Sequence, residues 1–238
     1  MIKIICLSKD QKKGIKILSL DDWFKNYKPY SPILHWKEGR SAMEFARLMV
    51  ESASYLPKVI EDVIKDLTED DSFYGIGEYV TNFSSFNLGI GNGRNHDFFM
   101  HANDLVVSIE AKVDEPFDLY MDETINETLN QNKRYNGLCQ LLFNEDADKN
   151  GRLRYQLLSG AAATILEAKE RQINKAIFLI VVLKKPGYFN NQRIENNNED
   201  LKEFMLKLQC DEKGLVKRKY GPEENISLYI RKIEIDLP

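Results

Sequence analysis

An uninterrupted apolar segment, AIFLIVVL at residues 176–183, constrains the fold more than any other part of the sequence. Its length suits a β-strand, and because polar residues do not alternate with apolar ones, helices should cover both faces of that strand. A strong helical pattern precedes it, with apolar residues at Leu153, Leu157, Leu158, Ala161, Ile165 and Leu166. Together these segments predict an α/β fold with a buried central strand.

Two segments upstream, DFFMH and LVVSIEAK, predict a β-hairpin. They flank Asn103-Asp104, which suits a two-residue turn. In that arrangement Asp97 lies directly opposite Glu110 on the neighbouring strand. The hairpin therefore brings two carboxylates to the same face of a sheet.

The remaining elements complete a mixed sheet and its helices. A right-handed crossover through the helix near Leu153 would place residues 176–183 beside the second hairpin strand and parallel to it. From residue 41 to 183 the order is then helix, strand, hairpin, helix, buried strand. Other patterns predict strands at 2–7, 73–83 and 226–237, helices at 21–27, from Ser41, after Pro57, over 118–143 and near 199–209, and loops at 87–95 and 190–198.

The chain length of 238 residues suits one domain with additions. We expect a core at about 40–183, an N-terminal extension at 1–39, a helical insertion at 118–150 and a C-terminal extension at 186–238. No apolar run approaches the roughly 18 to 20 residues needed to cross a bilayer, and the N-terminus lacks the pattern of a secretory signal. The expected location is the cytoplasm.

Charge and cysteine content exclude several kinds of protein. A net charge of −4 argues against holding nucleic acid by a broad basic surface, so any such contact must be local. Cys6, Cys139 and Cys210 are odd in number and include no CxxC pair, which indicates neither a disulfide framework nor a structural zinc site. A carboxylate-rich metal site remains compatible with an acidic chain, because the cation offsets repulsion near a phosphate.

The tripeptide acid, any residue, lysine is informative only in context. It begins at Asp10, Glu110, Glu167, Asp200 and Asp211. Only Glu110-Ala111-Lys112 ends an apolar strand, where alternation puts Glu110 and Lys112 on one face and leaves the Ala111 carbonyl near the same edge. The other four fall in predicted helices or polar loops.

Asp97 is the better of two candidate partners for Glu110. Opposed on the hairpin, their Cβ atoms would be roughly 5 Å apart, whereas Asp104 would be about 20 Å from Glu110 along the strand. Because Mg²⁺ is commonly held by one or two carboxylates, waters and phosphate oxygens, Asp97, Glu110 and the Ala111 carbonyl are candidate ligands of Mg²⁺, with Mn²⁺ as a substitute. In such a hydrolytic metal site, Lys112 would orient or deprotonate the water molecule that attacks the phosphate. By residue type alone, a surface ion trio is the alternative.

The segment GRNHDFFMHANDLVVSIEAKVDEPF resembles the core of the PD-(D/E)XK nucleases, the restriction-endonuclease-like fold, whose αβββαβ order matches the predicted elements. HWKEGRSA, IEAKVDEPF and LRYQLLSGAAATILEA are also similar to an uncharacterised bacterial subfamily, so the resemblance covers about residues 35–183. It implies a mixed central sheet flanked by helices, and a metal-dependent phosphodiesterase that acts on nucleic acid, DNA in particular. It also implies that Asp97 and Glu110 bind the metal and that Lys112 is catalytic. His96 stands where the superfamily usually has proline.

The resemblance suggests three accessory residues. Some relatives support the site with a Gln and a Tyr on the following helix, where this chain has Gln156 and Tyr155 at a different spacing. Members of the fold often place an acidic residue on the first helix, which makes Glu44 a candidate. A solvated helix face is the ordinary alternative for Glu44.

The residue pattern itself adds three more. Glu78, in the strand before the hairpin, would add a third carboxylate if it reached the site. His101 shares a face of the first hairpin strand with Asp97. Arg154 opens a predicted helix, where N–H groups favour anions and a phosphate contact is conceivable, although simple solvation also explains an arginine there.

Two functional hypotheses follow from the sequence. The first is a divalent-metal-dependent nuclease, and the second is a catalytically silent nuclease-fold protein that binds nucleic acid or a protein partner. The intact set of Asp, Glu and Lys favours the enzyme. The oligomeric state stays open, with a homodimer among the alternatives.

Overall fold

The protein folds around one six-stranded sheet whose strands follow one another in chain order. The computed structural model describes residues 1–88, 93–124, 129–147, 152–220 and 225–238. Within these residues the strands are β1 (Lys3–Cys6), β2 (Ser72–Thr81), β3 (Arg94–His101), β4 (Val106–Lys112), β5 (Lys175–Lys184) and β6 (Ser227–Asp236). The helices are α1 (Leu20–Asn26), α2 (Pro32–His35), α3 (Ser41–Glu51), α4 (Lys58–Ile64), α5 (Met121–Thr124), α6 (Leu129–Phe143), α7 (Tyr155–Glu170) and α8 (Asn191–Lys207). In the described part of the chain, no helix is both long and apolar enough to cross a membrane.

The sheet is mixed. β1 and β2 are parallel, β2, β3 and β4 are antiparallel in turn, and β4, β5 and β6 are parallel. β5 therefore lies beside the second hairpin strand and parallel to it, as the crossover through α7 predicts. An α/β class with a mixed sheet flanked by helices is confirmed.

The hairpin of β3 and β4 has the predicted register. Phe98 faces Ile109, and His101 faces Val106. The backbone N–H of Ala102 donates to the carbonyl of Leu105 at 2.9 Å and closes the two-residue turn. Local turn chemistry and alternation are enough to set this register, because a slip of one residue would turn every buried side chain to the other face.

Both faces of β5 are buried, as its apolar run predicts. Ile177, Leu179, Val181 and Leu183 pack in the cluster that includes α1, α3 and α4, whereas Ala176, Phe178, Ile180 and Val182 pack in the cluster that includes α6, α7 and α8. A Cβ on Gly160 of α7 would overlap the Phe178 ring. The glycine thus lets α7 approach the sheet, at a cost of about 1 kcal/mol in helix propensity.

The prediction of a loop at 190–198 is wrong, because α8 covers most of that segment. The Asn190 side chain caps the helix by accepting the N–H of Arg193 at 3.2 Å. Asn197 donates its side-chain amide to the Glu115 carbonyl at 2.9 Å. Capping and tertiary contacts thus outweigh the weak helix propensity of asparagine.

The insertion and the glycine-rich loop are described only in part. The helix predicted over 118–143 is present as two shorter helices, α5 and α6, within the described residues. Residues 89–92 of the predicted loop at 87–95, and residues 125–128 and 148–150 of the insertion, lie outside the described residues.

Short segments of backbone cover the outer edges of the sheet. Residues 54–56 bond to β1, and residues 214–216 bond to the first half of β6. The bonds run from Ile4 N–H to the Ser54 carbonyl at 2.8 Å, from Leu56 N–H to the Ile2 carbonyl at 2.9 Å, from Val216 N–H to the Leu228 carbonyl at 2.8 Å and from Ile230 N–H to the Gly214 carbonyl at 2.8 Å. Both edge strands come from the predicted extensions.

Candidate active site

The hairpin and its neighbours meet at a cavity of about 370 Å³. Asp97 of β3 and Glu110 and Lys112 of β4 line it, together with Glu78 of β2 and Gln156 of α7. Glu110 and Lys112 are buried, and Asp97 is half-buried. The three residues singled out as catalytic in the sequence therefore converge at one place.

Glu110 is buried between two cations. Only 3% of the residue is exposed, and its Oε2 accepts a hydrogen bond from Arg94. Its Oε1 lies 2.8 Å from Lys112 Nζ. Burial alone would raise the pKa of Glu110, but Arg94 and Lys112 outweigh it and hold that pKa below its usual value. Glu110 is therefore ionised at neutral pH.

Lys112 is held from three sides. Besides its contact with Glu110, its Nζ donates to Gln156 Oε1 at 2.7 Å and lies 5.5 Å from the centre of the Phe117 ring. An ammonium group has three N–H donors, so the contacts with Glu110 and Gln156 leave one donor without a hydrogen bond to a described residue. The contact also places Gln156, suggested by the resemblance, at the site.

Asp97 lies close to two other carboxylates of the cavity. Its Oδ2 accepts the backbone N–H of Ala111 at 2.7 Å, which ties β3 to β4 beyond the last regular pair. Burial raises the pKa of Asp97 well above its usual value, and Glu110 and then Glu78 raise it further. A cation placed here would relieve that repulsion.

Glu78 reaches the cavity from β2, as the sequence suggests it could. The neighbouring pairs, Gly77 with Phe98 and Tyr79 with His96, place it opposite Asp97. Its backbone is left-handed, with a φ of 51°, which is uncommon for a residue other than glycine. Burial raises the pKa of Glu78 to about 7 even though the Asn95 side chain donates to its Oε2 at 2.5 Å.

Arg94 is a residue of the site that sequence reasoning missed. It is 8% exposed, lines the cavity and donates to Glu110. Its Nε is buried and makes no hydrogen bond with any described residue. Arg94 follows the glycine-rich segment, which the sequence predicts as a loop, so no alternation pattern identified it. The one available signal was a charged residue three positions before Asp97.

His96, which stands where the nuclease superfamily usually has proline, is enclosed in the protein interior. Its ring is fully buried, and its Nε2 lies 2.9 Å from Thr81 Oγ1. Burial lowers the pKa of His96 well below its usual value, and the positive charge of Arg94 lowers it further. The imidazole is therefore neutral.

Tyr155 and Arg154 lie outside the cavity lining. The Tyr155 ring packs against Tyr135, with centroids 5.3 Å apart. Arg154 binds Asp200 at 2.7 Å and lies 3.7 Å from the centre of the Tyr120 ring. These contacts engage Arg154 in holding α8 against α7.

His101 and Glu44 also lie outside the lining. The His101 ring packs against the Tyr74 ring in a tilted arrangement, with centroids 5.6 Å apart, at the turn end of the hairpin. Glu44 is buried, binds Lys185 at 3.2 Å and accepts the Gly39 N–H at 2.8 Å. The solvated helix face considered for Glu44 is wrong, because the carboxylate is enclosed in an ion pair.

Asp97 and Glu110 are the residues of the cavity that could hold a divalent cation. Each carboxylate oxygen has two acceptor positions, so Glu110 keeps capacity after binding Arg94 and Lys112. Within the described ranges, no three His, Cys, Asp or Glu side chains are arranged to hold a metal by themselves. An ion bound by Asp97 and Glu110 would therefore complete its shell with waters, the Ala111 carbonyl and phosphate oxygens, as Mg²⁺ commonly does.

Comparison with known proteins assigns the chain to a family. The sequence profile described as "Domain of unknown function (DUF6946)" matches residues 16–237. The chain belongs to this family. No curated protein and no solved structure matches the chain. The DUF6946 match includes every residue that lines the cavity, so the candidate site lies inside the family's domain.

Proposed function

We propose that this protein is a divalent-metal-dependent nuclease that hydrolyses phosphodiester bonds in nucleic acid, with DNA as the substrate. The observation that carries the proposal is the convergence of Asp97, Glu110 and Lys112 on one cavity at the end of a hairpin. Two carboxylates and a lysine supply a metal site and a positive donor beside it. This combination can support hydrolysis of a phosphate diester.

The arrangement of elements supports the same proposal. The run α3, β2, β3, β4, α7, β5, with the first three strands antiparallel and the last parallel to its neighbour, is compatible with a restriction-endonuclease-like αβββαβ core. We propose that this run is such a core and that β1 and β6 extend its sheet. Fold alone does not establish activity, so the proposal depends on the site.

A bound Mg²⁺ or Mn²⁺ would polarise the phosphate and lower the pKa of a coordinated water. Asp97 and Glu110 would hold the ion. The third N–H of Lys112 would orient the attacking water or stabilise charge on a phosphoryl oxygen, while Gln156 fixes the direction of that ammonium group.

Glu78 is the carboxylate best matched to take up the proton of the attacking water. It lines the cavity opposite Asp97, and burial raises its pKa to about 7 in the metal-free protein, near the range in which a base is effective. The water oxygen forms a bond to phosphorus, its proton passes to Glu78, the P–O ester bond breaks, and the leaving oxygen takes a proton from solvent. Lys112, as an ammonium group, acts by orientation.

The proposal is tested by Mn²⁺-dependent cleavage of single-stranded and double-stranded DNA. Glu110→Gln and Lys112→Met should each lower the cleavage rate roughly 10²- to 10⁴-fold. Lys213→Ala is the matched control, since Lys213 ends another acid, any residue, lysine tripeptide but is exposed. Cleavage that persists in both site variants would refute the proposal.

The metal ligands are tested separately. Calorimetric titration of Mn²⁺ into the wild type and Asp97→Asn should give a weaker affinity for the variant. The wild-type affinity should also fall as the pH is lowered, because binding requires both carboxylates to be ionised. Equal affinities without any pH dependence would mean that Asp97 is not a ligand.

One observation favours a second candidate function. Arg94 and Lys112 already neutralise Glu110 within the protein, as expected of a catalytically silent nuclease-fold protein that binds nucleic acid or a protein partner. Absence of Mn²⁺ binding together with retained DNA binding would favour this alternative.

A further inference from the structure

Charge is unevenly distributed along this acidic chain. Residues 1–40 contain nine lysines and arginines against four aspartates and glutamates, a net charge of +5. The whole chain carries −4, so residues 41–238 carry −9. The N-terminal segment therefore carries a net positive charge that could attract a polyanion, whereas the rest of the chain carries a net negative charge.

These basic residues are exposed and available. All eight lysines and Arg40 of the segment are exposed. None of the eight lysines forms a salt bridge with a described residue, and Arg40 has only a long contact of 3.9 Å with Glu115. Exposed cations without partners are attractive sites for phosphate groups, because binding there breaks no existing ion pair.

A second cavity connects this segment to the candidate active site. It has a volume of about 520 Å³, and Lys9 and Lys28 line it. Tyr30, Glu78 and Asn95 line both this cavity and the catalytic one. The two cavities therefore adjoin along a shared wall and form a groove that leads from the lysines to the carboxylates.

The groove is built on a rigid support. Tyr27 is fully buried, and its hydroxyl donates to the Leu7 carbonyl at 2.6 Å, which joins the chain before Lys9 to the chain before Lys28. A Cβ on Gly77 would lie 2.7 Å from the Tyr27 ring, so this glycine lets the ring pack against β2 beside the site. The positions of both lysines thus follow from a buried anchor.

We infer that this groove binds single-stranded nucleic acid, with Lys9 and Lys28 neutralising backbone phosphates and Tyr30 stacking on a base. The inference deepens the proposed function and rests on it. Tyr30 is 89% exposed at the junction of the two cavities. A basic groove with an accessible aromatic ring is the usual arrangement for binding a single strand.

The geometry favours a single strand over a duplex. Glu110, Lys112 and Arg94 are buried within the catalytic cavity, so a phosphate must enter a confined space to reach them. The backbone of one strand can bend into such a space more easily than that of a stiff duplex. A base can also stack on Tyr30 only when it is free of its own stack.

Two side chains shape how the strand would lie. Lys28 Nζ is 5.5 Å from the centre of the Phe24 ring, which orients the ammonium group and leaves its donors free for phosphate. Glu78 in the shared wall repels phosphate, so the backbone should follow the lysine side of the groove until it reaches the catalytic cavity. There Lys112 and a bound cation would offset the carboxylates.

The test measures binding of a fluorescein-labelled oligothymidylate by anisotropy, with a chelator present, against a duplex of equal length. The wild type should bind the single strand more tightly. Tyr30→Ala should weaken binding roughly 5- to 100-fold, and Tyr30→Phe should retain it. Lys9→Ala/Lys28→Ala should reduce the slope of log affinity against log salt by about 1.4, at about 0.7 for each phosphate contact.

The control is Lys133→Ala/Lys202→Ala, which removes the same charge from exposed lysines that line neither cavity of the groove. Equal losses in the two double variants would overturn the groove assignment. So would a failure of the wild type to bind the oligonucleotide, or a preference for the duplex. Cleavage with Mn²⁺ is scored separately. If the wild type cleaves DNA and the groove variants bind the oligonucleotide as tightly as the wild type, this inference fails and the proposed nuclease function stands. If binding depends on the groove residues but no cleavage occurs, the proposed nuclease function fails and the binding groove stands.

Discussion

At the scale of single residues, Glu78 combines two energetic costs. Its backbone is left-handed within a strand, and its carboxyl group is buried near two other carboxylates. Strained and electrostatically unfavourable residues of this kind are typical of functional sites, where the surrounding structure maintains them. Glu78, which the sequence suggested only as an accessory residue, therefore adds to the evidence that the cavity is functional.

Glu78→Gln should stabilise the metal-free protein increasingly as the pH rises. The pKa of Glu78 is raised from about 4.5 to about 7, so the folded state binds more protons than the unfolded state between these values. The contribution of Glu78 to the stability of the wild type is therefore greatest below about pH 4.5, and it is lost as the pH rises through about 7. The variant lacks this loss and should gain roughly 1 to 3 kcal/mol relative to wild type near pH 8.

Urea denaturation across a pH series, with a chelator present, measures this difference. Glu69→Gln is the control, because Glu69 is exposed. The difference in the free energy of unfolding between this variant and the wild type should not change with pH. A stability difference for Glu78→Gln that does not change between acidic and alkaline pH would contradict the prediction.

Arg94 binds the Glu110 carboxylate and would therefore compete with a metal ion for it. Arg94→Met should lower the free energy of unfolding by roughly 2 to 4 kcal/mol, because a buried carboxylate loses one partner. Mn²⁺ should then raise the melting temperature of the variant more than that of the wild type, since the ion replaces the lost charge. Differential scanning fluorimetry with and without Mn²⁺ tests this, with Arg218→Met as an exposed control. An identical Mn²⁺-induced shift in variant and wild type would show that the two cations do not compete.

At the scale of elements, the sequence predicts best what local chemistry determines. The register of β3 and β4 follows from a two-residue turn and alternation, and the burial of β5 follows from its apolar run. The contact of Lys112 with Gln156 joins two elements and was suggested only by resemblance. The role of Arg94 and the left-handed backbone of Glu78 depend on tertiary contacts that no local pattern encodes. The helical state of residues 191–198 depends on such contacts together with the Asn190 cap.

Asp200 is one of the polar residues that dock α8. It accepts hydrogen bonds from Arg154 at 2.7 Å and from the Tyr120 hydroxyl at 2.8 Å. Asp200→Ala should destabilise the protein by roughly 2 to 4 kcal/mol, because it removes the carboxylate partner of a mostly buried arginine. Hydrogen exchange should show the loss of protection concentrated in α8. Glu199→Ala, an exposed neighbour on the same helix, should have little effect. Unchanged protection of α8 in Asp200→Ala would contradict this account of docking.

At the scale of the whole molecule, the two chain ends belong to one sheet. β1 and β6 form its edges, and one hydrophobic cluster includes residues from Ile2 to Leu237. The sequence predicts the two end strands but not their positions in the sheet, because nothing local specifies which edge an added strand joins.

The shared cluster predicts a single cooperative unfolding transition over the full chain. Calorimetry should give equal calorimetric and van't Hoff enthalpies. Two resolved transitions would instead mean that an extension unfolds independently, and the expectation of one domain over 1–238 would be wrong.

The covered edges of the sheet limit how this protein can associate. An exposed edge strand accepts a strand from another chain, which is a common route to filaments and to peptide capture. Here residues 54–56 and 214–216 already occupy the outward N–H and carbonyl groups of β1 and of the first half of β6, and the second half of β6 bears Arg231, Lys232, Glu234 and Asp236. Continuation of the sheet into a neighbouring molecule is therefore disfavoured, and a homodimer would have to join through side chains on another surface.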